Sequence, residues 1–257
     1  MATVIALVNQ KGGVGKTTTA INLSACVAQT GKHVLLVDLD PQGNSTSGLG
    51  VTKKKDFPTS YDVLIDDVPA QDAIRHTMIE TLDVLPSRIE LAGAEVELVS
   101  MMAREQRLKQ MLSPIADRYD YIFIDCPPSL GLLTLNALTA SDSLLVPIQC
   151  EYYALEGLSQ LMNTVKLVRR NLNSKLDIQG VVLTMFSSRL NLCVQVVEEV
   201  KKYFREKVYN TIIPRSVRMS EAPSHGLPIT LYDPRNIGAK AYINLAEEFI
   251  KREEANG

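Results

Sequence analysis

The sequence has no tryptophan and only four cysteines among its 257 residues. These cysteines (Cys26, Cys126, Cys150 and Cys193) form no C-x-x-C pair. Their spacing argues against a disulfide framework and against a zinc site, and it is typical of a reducing cytoplasm. No apolar run approaches the roughly 20 residues that a membrane span needs. The apolar start has no preceding basic residue and no small-residue cleavage site, so we do not expect a signal peptide.

What is present is typical of a soluble globular domain. Hydrophobic residues make up 46% of the chain and charged residues 22%, which excludes disordered, collagen-like and coiled-coil classes for its bulk. The formal net charge of −2 hides an asymmetry: residues 166–218 contain eleven basic and four acidic side chains. That stretch therefore carries +7 and the remainder −9. A solvated pair of helices and a surface for an anionic partner are both compatible with this pattern.

The order of apolar segments predicts a doubly wound, mostly parallel α/β sheet flanked by helices, formed as one domain over residues 1–257. Near-continuous Val/Ile/Leu runs favour strands that are buried on both faces. The predicted strands are Thr3–Asn9, His33–Asp40, Leu82–Pro86, Tyr121–Asp125, Leu144–Gln149, Gly180–Met185 and Tyr209–Ile213. The predicted helices are Thr17–Thr30, Ala92–Arg118, Leu132–Thr139, Leu155–Leu172, Leu192–Lys207 and Ile237–Glu254. Gly31 occupies the position of a helix C-cap glycine, and Asp40–Ser60 has the composition of a mobile switch region.

A glycine-rich segment follows the first predicted strand and precedes a helix. It reads Lys-Gly-Gly-Val-Gly-Lys-Thr-Thr over residues 11–18. Backbone N–H groups and a helix N-terminus at such a turn form an anion site. Lys16 would reach the terminal phosphates of a nucleotide, and the Thr17 hydroxyl would bind Mg²⁺. The standard P-loop pattern is not met, because Gln10 stands where its first glycine belongs, and Lys11 is an added cation.

Three aspartates are candidates for the chemistry beside this loop. Asp125 ends an apolar strand, where a buried carboxylate needs a partner such as hydrated Mg²⁺. Asp38 and Asp40 are two residues apart and point the same way from a strand end. Spacing alone does not separate the roles of Asp38 and Asp40, and either could instead cap a loop.

The loop resembles that of the deviant Walker A ATPases, and the whole chain resembles the ParA/Soj chromosome and plasmid partition proteins. The blocks that carry the resemblance are 34–44, 121–129, 151–157 and 220–226, together with the loop. The resemblance implies an ATPase that uses ATP and Mg²⁺ and forms an ATP-dependent homodimer. Residues 11–18, namely Lys11, Gly12, Gly13, Val14, Gly15, Lys16, Thr17 and Thr18, would bind the nucleotide.

The same resemblance implies the roles of individual side chains. Lys11 would reach across the dimer to the partner's ATP, acting like an arginine finger in trans. Asp40 would orient the attacking water, while Asp38 would lie nearer the metal with Thr17 and Asp125. Residues after the later strands would contact adenine: Met185, Pro214 and Arg215.

The resemblance implies that the basic stretch 166–218 binds DNA, because ParA-like proteins bind DNA without sequence preference through exposed cations. Our main candidates are Arg189 and Arg218, and weaker ones are Lys201, Lys202 and Arg205. The first strand begins at Thr3, so we expect no helix-turn-helix arm and no operator binding. A ParB/Spo0J-like protein with a basic N-terminal peptide is the expected partner. We expect a cytoplasmic, nucleoid-associated protein without stable membrane association.

Three other functions share parts of this pattern. A MinD-like membrane-cycling ATPase would end in a basic amphipathic helix, whereas residues 250–257 place acids beside the bases. A nitrogenase-reductase-like iron–sulfur protein would need paired cluster cysteines. A small-molecule ligase such as a dethiobiotin synthetase would share the fold without block 38–44. It would also lack blocks 151–157 and 220–226, the Soj-like blocks, which are similar to segments typical of the Soj branch.

Overall fold

The computed structural model describes residues 2–52, 57–151 and 158–256, and these contain a single seven-stranded sheet. Its strands are β1 (Thr3–Leu7), β2 (Val34–Asp38), β3 (Arg75–His76), β4 (Leu82–Leu85), β5 (Tyr121–Asp125), β6 (Ser143–Gln149) and β7 (Asp177–Thr184). Their spatial order is β3-β4-β2-β5-β1-β6-β7. The short β3 pairs antiparallel with β4, and every other neighbouring pair is parallel. The predicted doubly wound α/β class is confirmed.

Helices cover both faces of the sheet, as the apolar strands require. They are α1 (Lys16–Gln29), α2 (Asn44–Gly48), α3 (Ser60–Ile65), α4 (Ala70–Ala73), α5 (Leu91–Glu97), α6 (Arg107–Leu112), α7 (Leu132–Ala140), α8 (Leu158–Asn171), α9 (Asn191–Phe204), α10 (Val217–Glu221), α11 (Ile229–Tyr232) and α12 (Ile237–Asn256). One core lies beneath α3 and α5–α9, and the other beneath α1 and α10–α12. Gly31 follows α1 with φ +91°, as expected of a C-terminal glycine.

The predicted strand Tyr209–Ile213 is wrong. This segment runs beside β7 and donates two backbone hydrogen bonds to it, from Tyr209 and Ile213. Between them, the backbone N–H groups of Asn210 and Thr211 donate to the carboxylate of Glu248 on α12, at 2.8 and 2.9 Å. The Glu248 side chain thus takes the Thr211 N–H, which is the donor that would have continued the ladder with β7.

The predicted continuous helix Ala92–Arg118 is also wrong, because the segment forms α5 and α6 with a turn between them. Ala103 in this turn has φ +50°, a conformation that ends a right-handed helix. Asn136 of α7 accepts a hydrogen bond from Leu108 N and donates one to Arg104 O. These bonds replace backbone pairs that a continuous helix would have made.

The segment predicted as a mobile switch, Asp40–Ser60, contains the short helix α2, and its residues 53–56 lie outside the described part of the chain. The edge strand β3 and the short helices α3, α4, α10 and α11 were not predicted. Among the helices of the described ranges, none combines the length and apolar character that a membrane crossing demands.

Candidate functional site

The glycine-rich loop joins β1 to α1 at the carboxyl edge of the sheet. Gly13 and Gly15 have φ values of +76° and +90°, which glycine adopts without strain. The hydroxyl of Thr184, at the end of β7, donates a 2.8 Å hydrogen bond to the carbonyl of Val14. β7 therefore holds the loop at Val14, and the backbone N–H groups of the loop lie at the start of a 14-residue helix.

Lys16 is the first residue of α1 and is only 6% exposed. Its ammonium group donates a 3.1 Å hydrogen bond to the carbonyl of Lys11, so the side chain folds back over the loop. Burial lowers the pKa of Lys16, and the negative charge of Asp125 opposes that shift. A buried cation across a loop of backbone N–H groups is the arrangement that binds phosphate.

Two buried carboxylates lie side by side at the ends of β2 and β5. Asp38 and Asp125 are paired in the parallel register, and both are fully buried. Burial raises the pKa of Asp38 to about 7, with repulsion from Asp125 as the second cause. Burial also raises the pKa of Asp125 to about 6, opposed chiefly by the hydrogen bond from Ser45. Such a pair favours a cation between or beside its members.

The two aspartates differ in how their oxygens are used. In Asp38, Oδ2 accepts hydrogen bonds from Thr46 N and Thr46 Oγ1 at 2.8 and 2.7 Å, and Oδ1 accepts one from Asp40 N at 3.2 Å. In Asp125, Oδ2 accepts a 2.7 Å bond from Ser45 Oγ. Within the described residues, Oδ1 of Asp125 is buried without a partner in hydrogen-bond geometry.

This buried oxygen fits a hydrated Mg²⁺. The described residues contain no group of three or more His, Cys, Asp or Glu side chains arranged for a metal. Mg²⁺ retains several waters and takes few protein ligands, so a site completed by water and phosphate needs no such cluster. Thr17 and Asp125 are the residues that would hold it. Asp38, whose oxygens are already bonded, is placed behind them, and its role as a ligand stays a prediction.

Asp40 lies in the pocket above the loop, whereas Asp38 lies in the core. The pocket has a volume of about 240 Å³, and Asp40 lines it with the loop glycines, Lys16, Thr17 and Thr18. Sequence reasoning did not identify Asn44 and Pro128, which also line it. Asp40 is partly exposed, unlike Asp38 and Asp125, and its Oδ1 accepts a 2.9 Å hydrogen bond from Gln42 N. This placement suits the predicted contact between Asp40 and a water molecule.

A second, larger pocket of about 390 Å³ adjoins the first and shares Gly15, Thr18 and Met185 with it. Its walls are mainly apolar. Met185 and Arg215, predicted as adenine contacts, line it, while Pro214 forms a backbone bridge to Phe186 beside it. The sequence did not indicate several of the lining residues, among them Val217 and Met219 of α10 and Tyr242 of α12. An apolar slot beside a phosphate loop has the chemistry of a base-binding pocket.

Lys11 forms an ion pair with Glu151 at the mouth of the loop. Both side chains are about one-third exposed, at 34% and 36%. Glu151 ends the described segment, and residues 152–157 of the Soj-like block, including Tyr152 and Tyr153, lie outside the described residues. The ion pair places the Lys11 ammonium at the exposed rim of the loop, where a second molecule has access.

The predicted DNA-binding cations are not equivalent. Arg189 is exposed in the turn between β7 and α9, and no ion pair of its guanidinium is found in the described ranges. Arg218 instead donates to Glu221 and Asp233 at 2.7 and 3.2 Å and covers the Tyr232 ring. At the far end of α9, Lys202 pairs with Glu199, while Lys201 and Arg205 are exposed. The structure therefore favours Arg189 over Arg218 as an available cation.

Comparisons with known proteins agree with this geometry. A family model described as an AAA domain matches residues 2–178. The chain is 64% identical to the sporulation initiation inhibitor protein Soj of Bacillus subtilis, covering 96% of this chain and 98% of that protein. It is 55% identical to the chromosome partitioning protein ParA of Myxococcus xanthus, covering 97% of this chain and 88% of that protein.

A solved structure gives the same fold with nucleotide. The cobyrinic acid a,c-diamide synthase of Mycobacterium smegmatis, with bound ATP analogue and magnesium, superposes with a TM-score of 0.88 at 36% identity, covering 100% of this chain and 98% of that one. Full-length identity above one half to Soj and ParA proteins decides the family. The chain belongs to the ParA/Soj family of P-loop ATPases.

Proposed function

We propose that the protein is an ATP-dependent dimerising switch that binds DNA non-specifically and hydrolyses ATP to drive chromosome or plasmid partition with a ParB-like partner. The observation that carries the proposal is one pocket lined by Lys16, Thr17 and Asp40 beside an apolar slot, with the buried Asp125 carboxylate interacting with Lys16. Full-length similarity to proteins named Soj and ParA supports the partition role. We place the protein in the cytoplasm, on the nucleoid.

Phosphoryl transfer depends on positioning and charge stabilisation more than on covalent chemistry. Backbone N–H groups of residues 12–18 would bind the phosphate oxygens, and buried Lys16 would neutralise the terminal phosphates. Mg²⁺, held through Thr17 and Asp125, would neutralise the phosphate charge when bound. Asp40 lies at the wall of the pocket, where its carboxylate would orient a water for attack. Met185 and Arg215 would border the base in the adjoining slot.

Dimerisation would follow from the position of Lys11. Its ammonium group lies at the rim of the loop and pairs with Glu151. In the ATP state a partner's phosphates would offer Lys11 a stronger anionic site than the one-third-exposed carboxylate of Glu151 does. ATP would then join the two subunits, and hydrolysis would release them.

DNA binding would come from the exposed cations of the basic stretch. Arg189 follows β7 at the same edge of the sheet as the nucleotide pocket, so a nucleotide-dependent dimer would present two copies of it together. Lys201 lies at the other end of α9, ~15 Å further along the helix axis. Phosphate contacts of this kind give affinity without sequence preference.

Two alternatives are less well supported. A small-molecule ligase is named among the structural neighbours, at 36% identity, whereas the chain shares 64% identity with Soj. For a membrane-cycling ATPase, α12 would need a free apolar face. Instead, Tyr242, Leu245 and Phe249 of α12 are buried in the core against α1 and the sheet.

The test is DNA co-sedimentation with ATP, with ADP and without nucleotide, beside the same assay with anionic liposomes. We expect DNA to carry the protein down in the ATP sample, for unrelated duplex sequences alike. Sedimentation with liposomes but not with DNA would replace the proposal with the membrane-cycling function. Equal DNA binding in all three nucleotide conditions would refute the switch.

A further inference from the structure

The short helix α2 contacts both buried aspartates at once. Its consecutive residues Ser45 and Thr46 are fully buried, and each donates a hydroxyl hydrogen bond of 2.7 Å to a different carboxylate. Ser45 bonds Asp125, and Thr46 bonds Asp38. Because Ser45 and Asp125 are 80 residues apart, this contact is created by the tertiary fold and not by a local turn.

The helix is also fixed from its outer side. A Cβ on Gly226 would lie 2.7 Å from the Cα of Gly50, so the two backbones touch just after α2 ends. Gly48 is packed against Ile21 of α1 and against Pro223. Pro223 and Gly226 belong to the Soj-like block 220–226, so this block packs against α2 and the residues that follow it. With rigid packing on both sides, α2 holds its hydroxyl groups in one place.

The asymmetry between the two aspartates indicates what the Ser45 contact does. Both oxygens of Asp38 are bonded, as expected for a carboxylate with a structural role. In Asp125, Ser45 fixes Oδ2, while the buried Oδ1 is left without a partner in the described residues. The same carboxylate interacts with Thr17 and Lys16 of the phosphate loop. The Ser45 bond disfavours rotation of this carboxylate, because rotation would break the bond to Oδ2, and the second oxygen therefore stays available.

We propose that Ser45 is a positioning residue for the magnesium site, which locks the Asp125 carboxylate so that its second oxygen can receive a magnesium-bound water. The proposal rests on the proposed nucleotide function and adds to it a residue outside the phosphate loop. An ordered second contact of this kind determines metal affinity in many sites, and its loss typically weakens binding 10–100-fold.

The test measures affinity for a fluorescent ATP analogue with Mg²⁺ and with EDTA. In Ser45→Ala we expect affinity with Mg²⁺ to fall by about 10-fold. Affinity in EDTA should match wild type, because the loop and Lys16 are unchanged. Ser45→Thr retains the hydroxyl and should restore most of the difference. Ser47→Ala is the matched control, since the Ser47 hydroxyl bonds only backbone carbonyls of its own helix segment, Gly43 and Asn44, in the described structure.

Melting curves without ligand establish that each variant is folded. If Ser45→Ala does not fold, Ser45→Cys takes its place, because a thiol of similar shape is a much weaker donor. Equal losses in Mg²⁺ and EDTA, or no loss in either, would overturn the positioning role while leaving the nucleotide function intact. A wild-type protein that binds no ATP analogue in Mg²⁺ would instead overturn the proposed function itself.

Discussion

Asp38 and Asp125 stand opposite each other on adjacent parallel strands, both fully buried and both with a raised pKa. Two such carboxylates cost stability in the ligand-free protein, because burial and mutual repulsion oppose their ionisation. Their juxtaposition is retained at the edge of the sheet where the phosphate loop begins. The energetic cost is therefore located where a cation would relieve it.

The two raised pKa values make the stability of the ligand-free protein depend on pH. Folding raises the pKa of Asp38 to about 7 and that of Asp125 to about 6, above the unfolded value of 3.8. Between the unfolded pKa of 3.8 and the folded pKa values of about 6 and 7, the folded state binds more protons than the unfolded state. The free energy of unfolding therefore falls as pH rises. We expect the free energy of unfolding in EDTA to decrease from pH 5.5 to 7.5, by up to about 1.4 kcal/mol per pH unit for each proton released. Urea unfolding at several pH values measures it.

Asp38→Ala should flatten this pH dependence, because it removes one of the two titrating groups. A stability that rises steadily with pH in wild type over the same range would contradict the assignment of two raised pKa values.

Lys16→Ala should abolish tight nucleotide binding. The side chain is buried at the loop, and removing one member of a buried charge pair costs about 2–5 kcal/mol. Calorimetric titration with ATP should show a loss of roughly 30-fold or more. Lys166→Ala, an exposed lysine on α8, is the control. Unchanged ATP affinity in Lys16→Ala would refute the phosphate-loop assignment.

Asp40→Ala should bind ATP and dimerise but hydrolyse it slowly. The carboxylate lines the pocket and is partly exposed, so its loss affects the attacking water more than the fold. Loss of a positioned base or water-orienting group lowers turnover by ~100-fold or more. A phosphate-release assay with DNA and partner present measures the rate. If Asp40→Ala turns over ATP at the wild-type rate, another residue orients the attacking water, and Asp38 is the first candidate to test.

Asp38→Ala serves as the comparison for that experiment. Its carboxylate bonds Thr46 and the backbone of Asp40, so we expect this change to alter stability as well as turnover. A melting temperature near wild type for Asp40→Ala, and shifted for Asp38→Ala, would separate the two aspartates, which the sequence alone did not.

The parallel sheet and the phosphate loop could be predicted because each depends on local sequence. Apolar runs marked six of the seven strands, and the run before Asp125 placed it at a strand end. The wrong strand and the wrong continuous helix were predicted where a side chain distant in sequence forms hydrogen bonds with the backbone. Glu248 accepts one from Asn210 N, and Asn136 donates one to Arg104 O.

The contacts of Ser45 and Thr46 with the two aspartates could not be predicted from the sequence, because they too join residues that are far apart in the chain or depend on how the fold packs. They lie in a polar, glycine-containing segment with the composition of a loop. Nothing within it indicates that consecutive hydroxyl groups bond carboxylates on two different strands. Likewise, the engagement of Arg218 by Asp233 depends on packing that no charge count reveals.

Gly12→Val should leave folding and ATP binding intact but prevent ATP-dependent dimerisation. A Cβ at Gly12 would meet nothing within 4 Å in the described single chain, and its φ is not left-handed. The branched side chain would therefore project from the exposed rim where a second subunit approaches. Light scattering with ATP should give the monomer mass. Gly13→Val is a useful contrast, because φ +76° at that position strains any branched residue even in the monomer.

Arg189→Glu should weaken DNA binding while sparing ATP binding and dimerisation. Arg189 is exposed, and its guanidinium has no ion pair within the described residues, so it is available to phosphate. A dimer presents it twice, so the substitution removes two phosphate contacts. Each lost contact should reduce the salt dependence of log K by about 0.9. Fluorescence anisotropy on two unrelated duplexes, at several salt concentrations, measures both quantities.

The comparison variants locate the DNA surface. Lys202→Glu changes charge equally, but at the far end of α9, where the lysine is paired with Glu199. Arg218→Glu breaks contacts to Glu221 and Asp233, so we expect it to lower the melting temperature as well as any DNA affinity. If Arg189→Glu leaves the salt slope unchanged and Lys202→Glu reduces it, the DNA surface lies at the Lys201–Arg205 end. If neither variant changes the slope in the ATP state, the positive stretch is a solvated surface, and DNA is not its partner.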